Sequence, residues 1–181
     1  ERAESGRKNV TVVGSDISFA ASEAYKLLRT KLQFSFVDGE GCRVIGVSSA
    51  LTGEGKSLSA TNLAYSTSPL GMRVLLIDCD MRRPSLGNLL MRKVSPGLSN
   101  VLAGMVSPEE AIRPELYPNL DVLLSGDVPP NPSELLGSDR MRDLIEEMSK
   151  KYDYILVDTP PVILVSDAAI VIKSTIPVGY C

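Results

Sequence analysis

The chain has 181 residues, of which 44% are hydrophobic and 23% charged, and this is the composition of a globular domain with one core. Its formal net charge of −3, without a run of Lys or Arg, excludes the electrostatic footprint of a nucleic-acid-binding or anionic-membrane-binding protein. Histidine is absent, which also excludes Ser-His-Asp and Cys-His catalysis. With three cysteines lacking CxxC spacing, no signal peptide and no bilayer-length apolar run, we expect a cytoplasmic protein.

Taken in chain order, the elements alternate between helical and strand patterns. Residues 1–15 read as a flexible lead-in, and residues 22–36 predict a helix that packs outside the sheet. The predicted strands are residues 43–49, 73–78, 120–126 and 154–158. With helices between them, they predict an α/β fold, a mostly parallel sheet flanked by helices. Because four strands are few for such a fold, we expect one sheet edge to be open or covered by a partner.

The segment between the last two strands predicts two further helices. Pro132 with Ser133, and then Ser138, are typical helix starts. Residues 139–152 carry apolar side chains at the spacing of one helix face, at Met141, Leu144, Ile145 and Met148. These side chains are therefore predicted to fill the core.

Residues 44–57, VIGVSSALTGEGKS, have the layout of a loop that wraps the phosphates of a nucleotide. Glycines let backbone N–H groups approach a phosphate, Lys56 adds a positive charge, and Ser57 supplies a hydroxyl suited to Mg²⁺. A helix predicted over residues 57–66 points its positive end at the same phosphates. Ala50 stands where the usual pattern has its first Gly, but the strand before and the helix after support the prediction. The candidate nucleotide-binding residues are Thr52, Gly53, Glu54, Gly55, Lys56, Ser57 and Leu58.

Aspartates end two of the predicted strands. VLLIDCDMRRP (74–84) places Asp78 and Asp80 at a carboxyl strand end, where open α/β sheets bind ligands. Mg²⁺ would balance these carboxylates, and one of them could accept a proton from a hydroxyl nucleophile. The alternative is a capped strand end with a surface Asp-Arg pair. YDYILVDTPP (152–161) ends its strand at Asp158, the form expected of a carboxylate that holds Mg²⁺ in a phosphate-loop protein.

Five segments together resemble the bacterial tyrosine kinases of capsule and exopolysaccharide systems, from about residue 20 to about residue 170. They are ALTGEGKS, LLIDCDMRRPSLG, GLSNVLAG, LLSGDVPPNPSELLGSDRM and YILVDTPPV. The resemblance implies a P-loop NTPase fold, the cofactors ATP and Mg²⁺, and autophosphorylating transfer to tyrosine.

The same resemblance implies roles for single residues. Lys56 and Ser57 would form the Walker A pair, Asp78 and Asp80 the Walker A′ pair, and Asp158 the Walker B carboxylate. Lys56, Asp78 and Asp80 would be catalytic, with Asp80 or Asp78 as the base. Ser57, Asp78 and Asp158 would arrange the Mg²⁺.

Partners are also implied by the resemblance. They are a transmembrane polysaccharide co-polymerase that acts as activator, and UDP-sugar dehydrogenases or other proteins as tyrosine substrates. The activator would bring the protein to the inner face of the membrane. Glu23, Lys26 and Arg29 resemble the family's Glu-x-x-Arg-x-x-Arg helix of homo-oligomer assembly, with Lys in place of the first Arg. A solvated helix face is the alternative for these three residues.

Two other functions stay open on the sequence. A MinD/ParA-like switch ATPase shares the doubled Asp motif, but its signature lysine would stand at position 51, which is Leu51. A nucleotide-binding module without turnover is the third hypothesis.

The ends of the chain lead to two further expectations. The kinase-like domain is predicted over residues 16–170, followed by an atypical tail at 171–181 that resembles a UDP-sugar dehydrogenase segment (KSTIPVG). Only Tyr180 lies near the C-terminus, so the tyrosine-rich acceptor tail of the family is expected to be missing. The other five tyrosines lie inside predicted elements and are expected to be structural.

Overall fold

A computed structural model describes residues 17–35 and 41–161 of the chain. The helices are α1 (Phe19–Ser35), α2 (Lys56–Thr67), α3 (Leu86–Leu89), α4 (Leu98–Leu102), α5 (Pro108–Ala111), α6 (Pro132–Leu136) and α7 (Asp139–Ser149). The strands are β1 (Arg43–Val47), β2 (Val74–Asp78), β3 (Arg113–Tyr117), β4 (Leu120–Leu123) and β5 (Tyr154–Asp158). None of the helices in these two ranges has the length and apolar character needed to cross a membrane.

The strands form one five-stranded sheet in the order β1-β5-β2-β4-β3. β1, β5, β2 and β4 are parallel, and β3 pairs with β4 in the antiparallel sense. β2 and β5 are buried along their whole length, which explains their continuous apolar sequences. The predicted fold class is confirmed.

Helices cover both faces of the sheet. Side chains of β2 alternate between the two faces, so that Leu76 packs in the core on the α2 side and Leu75 in the core on the α7 side. The four apolar residues predicted on one face of α7 are all buried in that second core, at Met141, Leu144, Ile145 and Met148. The helix starts Pro132 and Ser138 are confirmed as well, the first opening α6 and the second capping α7.

The predicted count of four strands is wrong, because β3 adds a fifth strand along one edge. Its sequence, RPELY, contains a proline and a charged residue in the middle and lacks the apolar pattern of a strand. Glu115 adopts a left-handed φ of 51°, and its N–H donates to the Asp121 carboxylate at 2.8 Å, so the pairing with β4 is irregular. β3 thus forms through its pairing with β4 and not through a local sequence pattern. It covers the edge of β4, which the four-strand prediction leaves unpaired.

Several predicted element ends shift by a few residues. The strand predicted at 120–126 ends at Leu123, and the helix predicted at 139–152 ends at Ser149. The helix predicted at 22–36 begins at Phe19, and its last predicted residue lies outside the described ranges. The predicted lead-in (1–15) and tail (171–181) also lie outside them.

Helix α1 packs outside the sheet against α2, as predicted. Arg29 is partly buried there, and its Nη1 donates to the backbone carbonyl of Ser66 on α2 at 2.5 Å. Glu23 and Lys26 form a solvent-exposed ion pair at 2.8 Å on α1 itself. The three residues of the predicted assembly motif therefore differ in their surroundings. Glu23 and Lys26 are exposed on α1, whereas Arg29 joins α1 to α2 within the chain.

We expect Arg29→Ala to lower the free energy of unfolding by about 1–2 kcal/mol, because it removes a charged donor and leaves the Ser66 carbonyl without it. Lys26→Ala is the matched control and should change it by less than about 0.5 kcal/mol, since exposed i,i+3 ion pairs contribute little. Urea unfolding of both variants measures the difference. Equal effects would contradict the anchoring role of Arg29.

Candidate active site

The functional groups meet where three neighbouring strands end. In the parallel register Val47 of β1 lies beside Asp158 of β5, and Asp158 lies beside Asp78 of β2. The chain stays in register just beyond the strands, because the N–H of Cys79 donates to the Asp158 carbonyl and the N–H of Thr159 donates to the Val47 carbonyl. This brings the phosphate loop and both aspartate motifs to one edge of the sheet.

The loop between β1 and α2 has the backbone that a phosphate site requires. Gly53 and Gly55 adopt left-handed φ angles of 86° and 84°, and no other group lies within 4 Å of the position a Cβ would take at either residue. Gly55 is the N-cap of α2 and brings no capping side chain, so the first-turn N–H groups are directed at the loop opening. The Glu54 carboxylate accepts from the N–H of Leu51 at 3.0 Å, which closes the loop although Ala50 replaces the usual Gly.

Lys56 lies between two of the aspartates. Its Nζ is 2.9 Å from Oδ2 of Asp80 and 3.3 Å from Oδ1 of Asp158, and the lysine is 9% exposed. Burial lowers the pKa of Lys56, but Asp158 and Asp80 outweigh burial, so the net shift is upward. Lys56 is therefore a firmly protonated cation that neutralises part of the acidic cluster.

Asp78, like Asp158, has no exposed surface. Its Oδ1 accepts from the N–H of Asp80 at 3.1 Å, whereas its Oδ2 has no hydrogen-bond partner among the described residues. Burial, followed by the nearby Asp158 charge, raises the pKa of Asp78 to about 8. Oδ2 of Asp158 is likewise without a partner in the described part of the chain, and burial raises the pKa of Asp158 despite the nearby Lys56.

These groups fit a divalent cation bound together with a phosphate. Three buried carboxylates and one ammonium leave a formal charge of −2 on the cluster when all are ionised. Within residues 17–35 and 41–161 no three Asp, Glu, His or Cys side chains are arranged to hold a metal by themselves. Mg²⁺ in phosphate-loop proteins takes a hydroxyl, waters and phosphate oxygens as ligands. The Ser57 hydroxyl would be such a ligand, and the two unpaired carboxylate oxygens would contact the ion directly or through its waters.

The sequence did not predict the settings of three polar residues at this edge, Ser85, Arg82 and Ser125. The Ser85 hydroxyl donates to the Ser57 hydroxyl at 2.7 Å, and Nη2 of Arg82 donates to Ser133 Oγ at 2.8 Å. The Ser125 hydroxyl, just beyond β4, is buried and has no partner among the described residues. Ser85 follows the Arg-Arg-Pro turn and reads in the sequence as a helix cap, which hides its contact with the phosphate loop.

The described tyrosines are mostly held within the fold. The rings of Tyr65 and Tyr117 stack with centroids 3.9 Å apart, and Tyr154 is buried. The Tyr152 hydroxyl donates to the Asp121 carboxylate at 2.7 Å. These contacts match the structural role predicted for four of the five tyrosines; the fifth, Tyr25, is half-buried on α1, and Tyr180 lies outside the described residues.

Comparison with known proteins decides the family. The profile of a family described as AAA domain matches residues 42–177. The solved kinase domain of the Escherichia coli tyrosine kinase ETK superposes with a TM-score of 0.80 at 37% identity, covering 91% of this chain and 67% of that one. The chain belongs to the bacterial tyrosine-kinase domains of the AAA family.

Two further matches of this tyrosine-kinase domain define how far the likeness extends. The tyrosine-protein kinase YwqD of Bacillus subtilis is 42% identical over 149 residues, which are 82% of this chain and 62% of YwqD. The chain thus spans less than two thirds of that relative. The septum site-determining protein MinD of Pyrococcus horikoshii, solved with Mg-ADP, is 29% identical with a TM-score of 0.61, and the match covers 74% of this chain and 54% of MinD.

We expect Asp78→Asn to stabilise the nucleotide-free chain in EDTA, and to do so more at pH 8 than at pH 6. The pKa of Asp78 in the folded chain, about 8, lies above the ordinary aspartate value of 3.8, so the stability gained from binding its proton is complete below pH 4 and is lost as the pH rises to 8. Asp78→Asn has no such loss. The difference in free energy of unfolding between this variant and the wild type should therefore grow by about 1–3 kcal/mol between pH 6 and pH 8.

Thermal unfolding at the two pH values measures this growth. Asp143→Asn removes an exposed carboxylate and is the control, for which the difference from wild type should be the same at both pH values. A stability gain of Asp78→Asn that does not depend on pH would contradict the assignment.

Proposed function

We propose that this domain is an ATP-dependent protein-tyrosine kinase, autophosphorylating and active in the regulation of capsular or exopolysaccharide synthesis and export. The observation that carries the proposal is the meeting of Lys56 and Ser57 with Asp78, Asp80 and Asp158 at the end of the sheet. The kinase names of the related proteins support the choice of activity.

ATP would lie with its phosphates against the loop of residues 52–58. The left-handed glycines leave room for phosphate oxygens at the backbone N–H groups, and the first turn of α2 adds its positive dipole end. Lys56 would exchange Asp80 and Asp158 for the β- and γ-phosphate oxygens. This exchange leaves the carboxylates free to act on the metal and on the nucleophile.

Mg²⁺ would be held by Ser57, with Asp78 and Asp158 acting directly or through water. When bound, it supplies positive charge to the β- and γ-phosphates. The two partnerless carboxylate oxygens, one on each aspartate, are the groups of this chain that a cation would satisfy.

In the transfer step the phenolic oxygen of a tyrosine forms a bond to the γ-phosphorus as the bond from that phosphorus to the β,γ-bridging oxygen breaks. ADP leaves, and the phenolic proton passes to a carboxylate. Asp80 is the better candidate for this base than Asp78. It lies on the loop beyond β2 and is paired with a lysine, whereas the fully buried Asp78 keeps its proton up to about pH 8 without a cation.

The sequence resemblance supports the partners in this proposal. They are a transmembrane polysaccharide co-polymerase as activator, UDP-sugar dehydrogenases or other tyrosine-bearing substrates, and further copies of the chain joined through Glu23, Lys26 and Arg29. The cytoplasmic location at the inner face of the membrane is part of the same proposal and depends on the activator.

Transfer of labelled γ-phosphate from Mg-ATP to a Glu-Tyr copolymer tests the activity. We expect phosphotyrosine with the wild type, and a loss of about 100-fold or more in both Lys56→Met and Asp80→Asn, because each change removes a charge that acts in the transition state. Lys150→Met changes the C-cap residue of α7, a lysine whose side chain is 70% exposed, and is the control with unchanged transfer.

The products separate the three functions. Release of free phosphate without phosphotyrosine would contradict the kinase and favour a MinD-like switch ATPase. Binding of nucleotide with neither product would favour a binding module without turnover.

A further inference from the structure

Ser85 lies on the loop between β2 and α3 and contacts the phosphate loop directly. Its hydroxyl donates to the Ser57 hydroxyl at 2.7 Å, although the two residues are 28 positions apart. The Ser57 oxygen also accepts from Lys56 Nζ at 3.3 Å, and the same Nζ donates to Asp158 Oδ1 at 3.3 Å. Ser85 is therefore the outer member of a hydrogen-bonded chain that runs through Ser57 and Lys56 to Asp158.

Ser85 lies at a position where a serine side chain ordinarily caps a helix. It is the N-cap residue of α3, where a serine hydroxyl usually accepts from a backbone N–H of the first turn, yet it makes no capping hydrogen bond. By contrast, Ser107, the N-cap of the equally short helix α5, accepts from the N–H of Glu110. The Ser85 hydroxyl thus forms its hydrogen bond with the phosphate loop and not with the first turn of α3.

The loop that carries Ser85 is fixed on both sides of the contact. On one side the N–H of Arg83 donates to Asp80 Oδ1 at 3.1 Å, and Pro84 restricts the backbone next to Ser85. On the other side Leu86 is fully buried in the core. The contact of the two hydroxyls therefore joins two anchored segments and does not depend on a mobile side chain.

We propose that Ser85 is a positioning residue for the metal ligand Ser57, holding its hydroxyl so that a lone pair is presented to Mg²⁺ at the nucleotide phosphates. This inference rests on the proposed Mg-nucleotide site. Groups that orient a metal ligand through a hydrogen bond typically change metal affinity about 10- to 100-fold when they are removed. The role of Ser85 is therefore to strengthen the coupling between Mg²⁺ and nucleotide, without contact with the tyrosine substrate.

Binding of a fluorescent ADP analogue in EDTA and in saturating Mg²⁺ tests the proposal, since the ratio of the two affinities is the Mg²⁺ coupling. We expect Ser85→Ala to lower this ratio about tenfold while the affinity in EDTA stays within about twofold of the wild type. Ser85→Thr keeps the hydroxyl and should restore the ratio.

Ser107→Ala is the matched control, because it removes a serine at the N-cap of another short helix. It should leave the Mg²⁺ coupling unchanged and lower the midpoint of urea unfolding because a helix cap is lost, whereas Ser85→Ala loses no cap.

A normal Mg²⁺ coupling in Ser85→Ala, an equal loss of affinity in EDTA and in Mg²⁺, or a wild type without Mg²⁺ coupling would each overturn the proposal. The assay involves no phosphoryl transfer. A wild type that shows Mg²⁺ coupling but forms no phosphotyrosine would therefore contradict the kinase proposal alone.

Discussion

Three buried carboxylates and one ammonium at the end of a parallel sheet form the constraint on which the rest of the site depends. Desolvation makes such a cluster costly, and Lys56 compensates only part of its charge. Asp78 and Asp158 each keep one buried oxygen without a partner in the described part of the chain. The cluster thus carries an excess of negative charge that a phosphate-bound divalent cation would neutralise. Without the cation, this excess lowers the stability of the folded domain.

The architecture follows from the need to hold these groups together. β5 lies between β1 and β2, so the phosphate loop and both aspartate strands end side by side. Cores on both faces fix the register of the central strands, and register decides whether Asp78 and Asp158 meet. Left-handed glycines then turn the chain from β1 into α2 at the same edge.

The sequence predicts the parts of this domain that have a local signal. Apolar runs, helix periodicity and the Gly-Glu-Gly-Lys-Ser turn predicted the parallel sheet, the buried face of α7 and the glycine turn that leads into α2. β3 has no such signal, because RPELY becomes a strand only through its pairing with β4. The contact of Ser85 with Ser57 also escaped prediction, since a serine before a short helix indicates a cap and the hydrogen bond joins distant segments. Contacts over long sequence separation are set by tertiary packing, which no local pattern encodes.

The central claim is that Lys56 and the Mg-nucleotide complex neutralise the same carboxylates in turn. A crystal structure of the chain with Mg²⁺ and a non-hydrolysable ATP analogue tests it most directly. The account predicts that Lys56 Nζ leaves Asp80 and Asp158 for the phosphate oxygens and that Mg²⁺ contacts the Ser57 hydroxyl. A nucleotide bound in the loop while Lys56 still contacts both carboxylates, or one bound away from residues 52–58, would contradict it.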